Sequence, residues 1–112
     1  MTKDPKKLLS LMLSEIEEME FFIGNFDFNY FAKNSLLQNA VFKKIENIGE
    51  TVRVLPERVK DEAPEIPWNI IADTRNFLVH EYFEIKEEEI WNIVKKDIPL
   101  LKKAVLKILN KF

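Results

Sequence analysis

The chain has no cysteine, one histidine, two glycines and three arginines among its 112 residues. Without thiols it can form neither a disulfide nor a thiolate metal site, and one imidazole cannot build a histidine-rich zinc site within a single chain. Neither a structural metal nor a cofactor is expected. Scarce glycine beside abundant Lys and Glu favours helix. No apolar run approaches the length that crosses a bilayer, and Glu15, Glu17 and Glu18 interrupt the stretch after Leu8 and Leu9 that a signal peptide would keep apolar. A cytoplasmic protein with no membrane contact is the expectation. The formal net charge of −2 gives no bulk pull on nucleic acid, so any RNA contact must come from a local patch or from one doubled by dimerisation.

What is present is a globular balance of 46% hydrophobic and 32% charged residues, in a length that suits one core rather than two. A single helical domain over residues 1–112 is expected. Asp4 and Pro5 form an N-cap and N1 pair, after which Leu8, Leu9, Met12, Ile16, Met19 and Ile23 recur mostly at three and four, predicting a helix from Pro5 to Ile23. Gly24 and Asn25 end it. The aromatic cluster Phe26, Phe28, Tyr30 and Phe31 reads as a short connection whose rings cap one end of the core. From about Tyr30, Leu37, Val41, Ile45, Ile48, Val52 and Leu55 predict the longest and most buried helix. Gly49 inside it costs about 1 kcal/mol against alanine, which a close helix approach would explain.

Pro56 stops that helix, and Pro56, Pro64 and Pro67 make the stretch up to Ile66 a loop with room for one helical turn. Pro67 opens a third helix at its first turn, with Trp68, Ile71, Thr74, Phe77 and Leu78 facing inward. A fourth helix carries Glu84, Glu87, Glu88 and Glu89 near its start and Lys102, Lys103, Lys107 and Lys111 near its end, matching the macrodipole at both ends. Its stripe is Ile90, Trp91, Val94, Ile98, Leu101, Val105 and Ile108, with Pro99 predicting a kink near Lys95. No segment shows strand periodicity. The fold class is therefore all-α, an antiparallel up-down four-helix bundle with a kinked last helix.

The scarce reactive side chains gather in one run, Asp73-Thr74-Arg75-Asn76-Phe77-Leu78-Val79-His80-Glu81-Tyr82, which holds the only histidine. An imidazole moves protons near neutral pH, a guanidinium grips phosphate bidentately, and a phenol can be modified. On an ideal helix Asp73, Asn76 and His80 fall within about 60° of one another, Arg75 and Tyr82 within about 20°, but Arg75 and His80 lie about 140° apart. One straight helix does not focus both on one phosphate. Either the helix distorts or ends before Glu81, or a second protomer completes the site. Metal-free RNA cleavage needs both a base and an acid, and a two-fold dimer would bring two His80 and two Arg75. Judged by chemistry alone, such residues on an amphipathic helix are more often surface salt-bridge and core-edge groups.

Arg75-Asn76-x3-His80-x-Tyr82 resembles the Arg-x4-His-x-Tyr motif of HepT-like proteins, the toxin members of the HEPN superfamily. Asn47-Ile48-Gly49-Glu50 resembles that family's second-helix signature, Pro64-x-Ile66-Pro67-Trp68 its approach to the third helix, and Trp91 with Ile98-Pro99-x-Leu101 its final helix. The likeness covers most of the chain from Leu37 to Leu101. It implies a homodimer with metal-independent ribonuclease activity in a cleft between protomers, encoded beside a small nucleotidyltransferase antitoxin. Carried over, Arg75 binds the scissile phosphate, His80 transfers protons, Asn76 orients or hydrogen-bonds, and Tyr82 is the tyrosine that the partner can adenylylate. Asp73 stands where the family often has glycine, a supporting position at which a carboxylate would oppose RNA or raise the His80 pKa. Two other readings remain: a non-catalytic, nucleotide-binding or regulatory partner of a nucleotidyltransferase, and a purely structural helical dimer assembled through Phe26 to Phe31.

Overall fold

In the first helix, α1 (Pro5–Ile23), the Asp4 side chain accepts a hydrogen bond from the Lys6 backbone N–H at 3.0 Å and Pro5 supplies the preset φ of the first turn. Its buried residues are the six expected from spacing, Leu8, Leu9, Met12, Ile16, Met19 and Ile23. Gly24 ends it at φ +50°, a conformation that side chains rarely adopt. The computed structural model describes residues 4–80 and 86–112, with the backbone alone for residues 75–80.

The aromatic connection is itself a helix, α2 (Phe28–Lys33), capped by Asp27 accepting from the Tyr30 N–H at 2.9 Å. The long helix, α3 (Ser35–Val54), therefore begins at Ser35 and not near Tyr30. Asn34 is the reason. Its side-chain oxygen accepts from the Leu37 N–H at 2.8 Å, while Gln38 Nε2 donates to the Phe31 carbonyl at 2.8 Å, so the last turn of α2 and the first of α3 are both satisfied across the break. Pro56 stops α3, and the proline-rich stretch holds one helical turn, α4 (Glu57–Lys60).

Next comes α5 (Trp68–His80), with Pro67 just outside it, its carbonyl accepting from the Ile71 N–H at 3.1 Å. The last bundle member is α6 (Glu87–Asn92), a π turn at Ile93–Asp97, and α7 (Ile98–Leu109). Pro99 has no N–H to give the Lys95 carbonyl. The chain absorbs the defect in the wider π turn, in which the Ile98 N–H reaches back to the Ile93 carbonyl. A π turn thus stands where the sequence predicted a kink.

Five observations fix the topology. Glu15 and Glu18 on α1 meet Lys44 on α3, Glu20 meets Lys102 on α7 at 2.7 Å, and Lys111 reaches Glu62 beyond α4 at 3.4 Å. The Trp68 indole at the start of α5 is tied to the α4 region, and Phe28 and Phe31 of α2 pack on Trp91 of α6 with ring centroids 6.2 and 5.1 Å apart. Successive long helices thus run in opposite directions in an up-down bundle. Among the described residues there is no strand, and no helix is long and apolar enough to cross a membrane.

Burial works against the Lys44 charge, but hydrogen bonds to Glu18 and Glu15 and the charges of both carboxylates outweigh it, holding the ammonium above its usual 10.5. What this cluster contributes is fully present at neutral pH and is lost only as pH rises past 10.5 through the raised value. Lys102 and Lys111, read from sequence as matching the helix macrodipole, are each also engaged by a carboxylate. The Glu20 hydrogen bond likewise raises Lys102.

Phe31 is fully buried where α2, α3 and α6 converge. Phe31→Ala should lower unfolding free energy by about 3–5 kcal/mol, read as an earlier urea midpoint at unchanged m-value.

Candidate functional site

Trp68 sets where the candidate site falls. Its indole Nε1 donates to both the Lys60 carbonyl at 3.1 Å and the Ala63 carbonyl at 3.0 Å, fastening the start of α5 to the end of the bundle where α3 finishes. From that anchor α5 returns along α3, and Ile71 and Thr74 are buried as expected. Thr74 Oγ1 donates to the Ile70 carbonyl at 2.9 Å, which lets a polar side chain lie in the packed face. The C-terminal end of α5 therefore lies about 20 Å from that anchor, away from α4.

The helix runs unbroken from Trp68 to His80 and carries Asp73, Arg75, Asn76 and His80. Tyr82 and Glu81 lie outside the described residues, and Phe77 and Leu78, expected to face inward, are described by backbone alone. The backbone still fixes register. Position 75 lies about 40° around the axis from buried Ile71, whereas position 80 lies about 20° from Asp73, which is exposed. The two positions are on different sides of one regular helix, separated by about 140°. No distortion of α5 up to His80 closes that gap.

Beside Asp73 is a shallow hollow of about 230 Å³, bordered by Ile70, Thr74, Glu89 and Ile93. It joins the outward face of α5 to the α6 end of the last helix. Its described wall carries two carboxylates, Asp73 and Glu89. Glu89 was readable from sequence only as one of several acids suited to a helix start, and indeed stands in the first turn of α6. Its placement against Asp73 depends on the α5–α6 turn-back, which no local spacing encodes.

An all-helical bundle whose third long helix carries an Arg-x4-His pair on its unbroken backbone defines a class, and the chain belongs to the HepT-like ribonuclease family: the family described as "Ribonuclease HepT-like" matches residues 12–108. Over 109 residues it is 36% identical to a "Putative RNase" of Caldanaerobacter subterraneus subsp. tengcongensis, covering 97% of each chain. It is 36% identical over 102 residues to a "Probable ribonuclease HepT" of Thermococcus cleftensis, covering 91% of this chain and 93% of that one. A longer protein of Methanocaldococcus jannaschii, named gamma-glutamylcyclotransferase and "putative RNase", is 37% identical over 110 residues, which are 98% of this chain and 50% of that protein. The chain thus spans half the length of the last relative and nearly all of the other two. No solved structure matches the chain.

If the Trp68 indole sets the start of α5, Trp68→Phe should cost about 0.5–1.5 kcal/mol by removing the indole's hydrogen bonding to the Lys60 and Ala63 carbonyls, which keep the Ala63 and Ile66 N–H groups as donors. Hydrogen exchange should show the added opening first at the α4–α5 junction and not throughout the chain.

Proposed function

We propose that the chain is the RNase toxin subunit of a two-protein toxin-antitoxin system and cleaves RNA without a metal at a site shared by two protomers. The observation that carries this reading is the unbroken course of α5 through an Arg-x4-His pair, in a chain of the HepT-like family. A regular helix separates positions 75 and 80 by about 140°, and a two-fold partner supplies the missing half without bending it. Arg75 of one protomer grips the scissile phosphate and balances the charge that builds on its oxygens. His80 of the other takes the proton of the RNA 2′-hydroxyl as that oxygen attacks phosphorus and passes it to the departing 5′-oxygen, so that each site works with one Arg75 and one His80. Asn76 orients the phosphate or the imidazole by hydrogen bonding, and Asp73 supports the polar face.

The system's second member in this reading is a nucleotidyltransferase antitoxin that adenylylates Tyr82. AMP groups there would set bulk and negative charge beside the phosphate-binding residues and exclude RNA. Both proteins act in the cytoplasm. A competing reading has one observation in its favour: Asp73 and Glu89 make the described wall of the hollow acidic, which opposes a polyanion. In that case the chain binds nucleotide, or regulates the nucleotidyltransferase, without cutting RNA.

Purified protein incubated with total RNA in EDTA separates the two. Cleavage should proceed, His80→Ala should reduce it by about 10²–10⁴-fold and Arg75→Ala by about 10²–10³-fold. Intact RNA in EDTA, with cleavage restored only by added divalent metal, contradicts the mechanism; tight ATP binding with no cleavage under any condition supports the competing reading. Co-expression with the neighbouring nucleotidyltransferase should add the mass of one or more AMP groups to the wild type and none to Tyr82→Phe.

A further inference from the structure

Residues 95–112 carry six lysines and one acid, Asp97, for a net charge of +5, whereas the 94 residues before them carry −7. Charge in this chain is segregated along its length. Three of the six lysines are used within the fold: Lys102 meets Glu20 of α1 at 2.7 Å, Lys111 meets Glu62 at 3.4 Å, and Lys95 lies over the Trp91 ring, 4.8 Å from its centroid. The other three, Lys96, Lys103 and Lys107, are exposed and have no carboxylate partner among the described residues. The helix dipole accounts for Lys107 alone, because its pull fades beyond the last turn of α7, where Lys107 stands. Lys96 and Lys103 have no such use.

These three side chains share a bearing. On α7, Lys103 and Lys107 lie about 100° and 140° around the axis from Lys102, which faces α1, and Lys107 lies about 160° from buried Val105. Lys111, one turn further on, reaches Glu62 just ahead of α5, so the line of lysines turns towards the α5 side. Lys96 stands about two turns before Lys103, and the line from Lys96 to Lys107 is about 16 Å long. Its upper end adjoins the candidate site. Ile93, three residues before Lys96, borders the hollow beside Asp73, and position 80 lies about 20° around α5 from Asp73.

We infer that Lys96, Lys103 and Lys107 form a track that holds the sugar-phosphate backbone of RNA flanking the cleaved bond. The inference rests on the ribonuclease reading for the identity of the polyanion. A strand lying on the outward face of α5 passes the hollow and then follows the track towards Lys111, a length that spans about five phosphates at about 3.4 Å each along a stacked strand. The acidic wall of the hollow fits this path, since Asp73 and Glu89 repel phosphates that the neighbouring lysines attract. Residues 95–112 contain no arginine, and a lysine ammonium is a point charge without a bidentate fork, so the track positions RNA and does not read its sequence. A membrane surface is the poorer match. A helix that lies on lipid needs its apolar face free, and Leu101, Val105 and Ile108 of α7 are buried in the core.

Binding is measured with His80→Ala protein, which leaves RNA intact, by fluorescence anisotropy of a labelled RNA of about 20 nucleotides between about 50 and 200 mM salt. Adding Lys103→Gln with Lys107→Gln should raise the dissociation constant at least about fivefold, equally for purine-rich and pyrimidine-rich strands, and reduce the slope of log affinity against log salt by about 1.4, or about 0.7 for each phosphate. Lys33→Gln with Lys43→Gln removes the same charge from exposed positions elsewhere and should change neither quantity. Lys103→Arg with Lys107→Arg should bind as the parent does. Equal losses from the two glutamine pairs, which would reduce the effect to net charge, or no loss from the Lys103 and Lys107 pair overturns the inference. So does binding to phosphatidylglycerol vesicles that this pair abolishes while RNA binding is unchanged, which would assign the track to a membrane surface. Wild-type protein that binds RNA through the track but leaves it uncut in EDTA counts against the ribonuclease reading and leaves the track standing.

Discussion

The return of α5 along α3 is the constraint on which the rest depends. Trp68 fixes where the helix starts, Ile71 and Thr74 fix which side is buried, and regular geometry then dictates the bearing of every later position. A helix held in this way cannot turn positions 75 and 80 to one point. The reactive residues on it are divided between the side that follows Ile71 and the side that follows Asp73. The proposed site between protomers would use both without straining the packed face.

The antiparallel bundle also decides what lies near what. With α3 and α5 opposed, α5 leads away from the proline-rich α4 region, its 13 residues reaching about 20 Å along the 20-residue α3. The exposed rings of Phe26 and Tyr30 lie between α1 and α3, at the Ile23 end of α1. Charge pairs such as Glu15–Lys44 and Glu20–Lys102 lie along the helix sides instead, where they help to fix register. The surface is thus partitioned, with ion pairs on the flanks and exposed rings at one end.

Much of this was legible in the sequence. The Asp4–Pro5 start and the Gly24 end of α1 are local signals, complete within a few residues, and the structure places that helix where they do. The boundary between α2 and α3 was not legible from periodicity, because apolar spacing continues across it. What divides the helices is hydrogen bonding by Asn34 and Gln38, a signal carried by polar side chains. Pro99 announced a defect but not its form, since a kink and a π turn both accommodate a missing N–H. At the candidate site, residue types and their angular separation could be read from the chain alone. The approach of Glu89 to Asp73 could not, because it depends on two helices that meet only in the folded bundle.

Mixing two inactive variants tests the shared site most directly. Arg75→Ala and His80→Ala protomers, unfolded and refolded together, should form mixed dimers in which one site keeps an intact Arg75 from one chain and an intact His80 from the other. With random pairing half the dimers are mixed and each has one working site of two, so RNA cleavage in EDTA should return to about a quarter of the wild-type rate. Cleavage no greater than that of either variant alone, in a sample whose mixed dimers are verified by mass, would contradict a site divided between protomers.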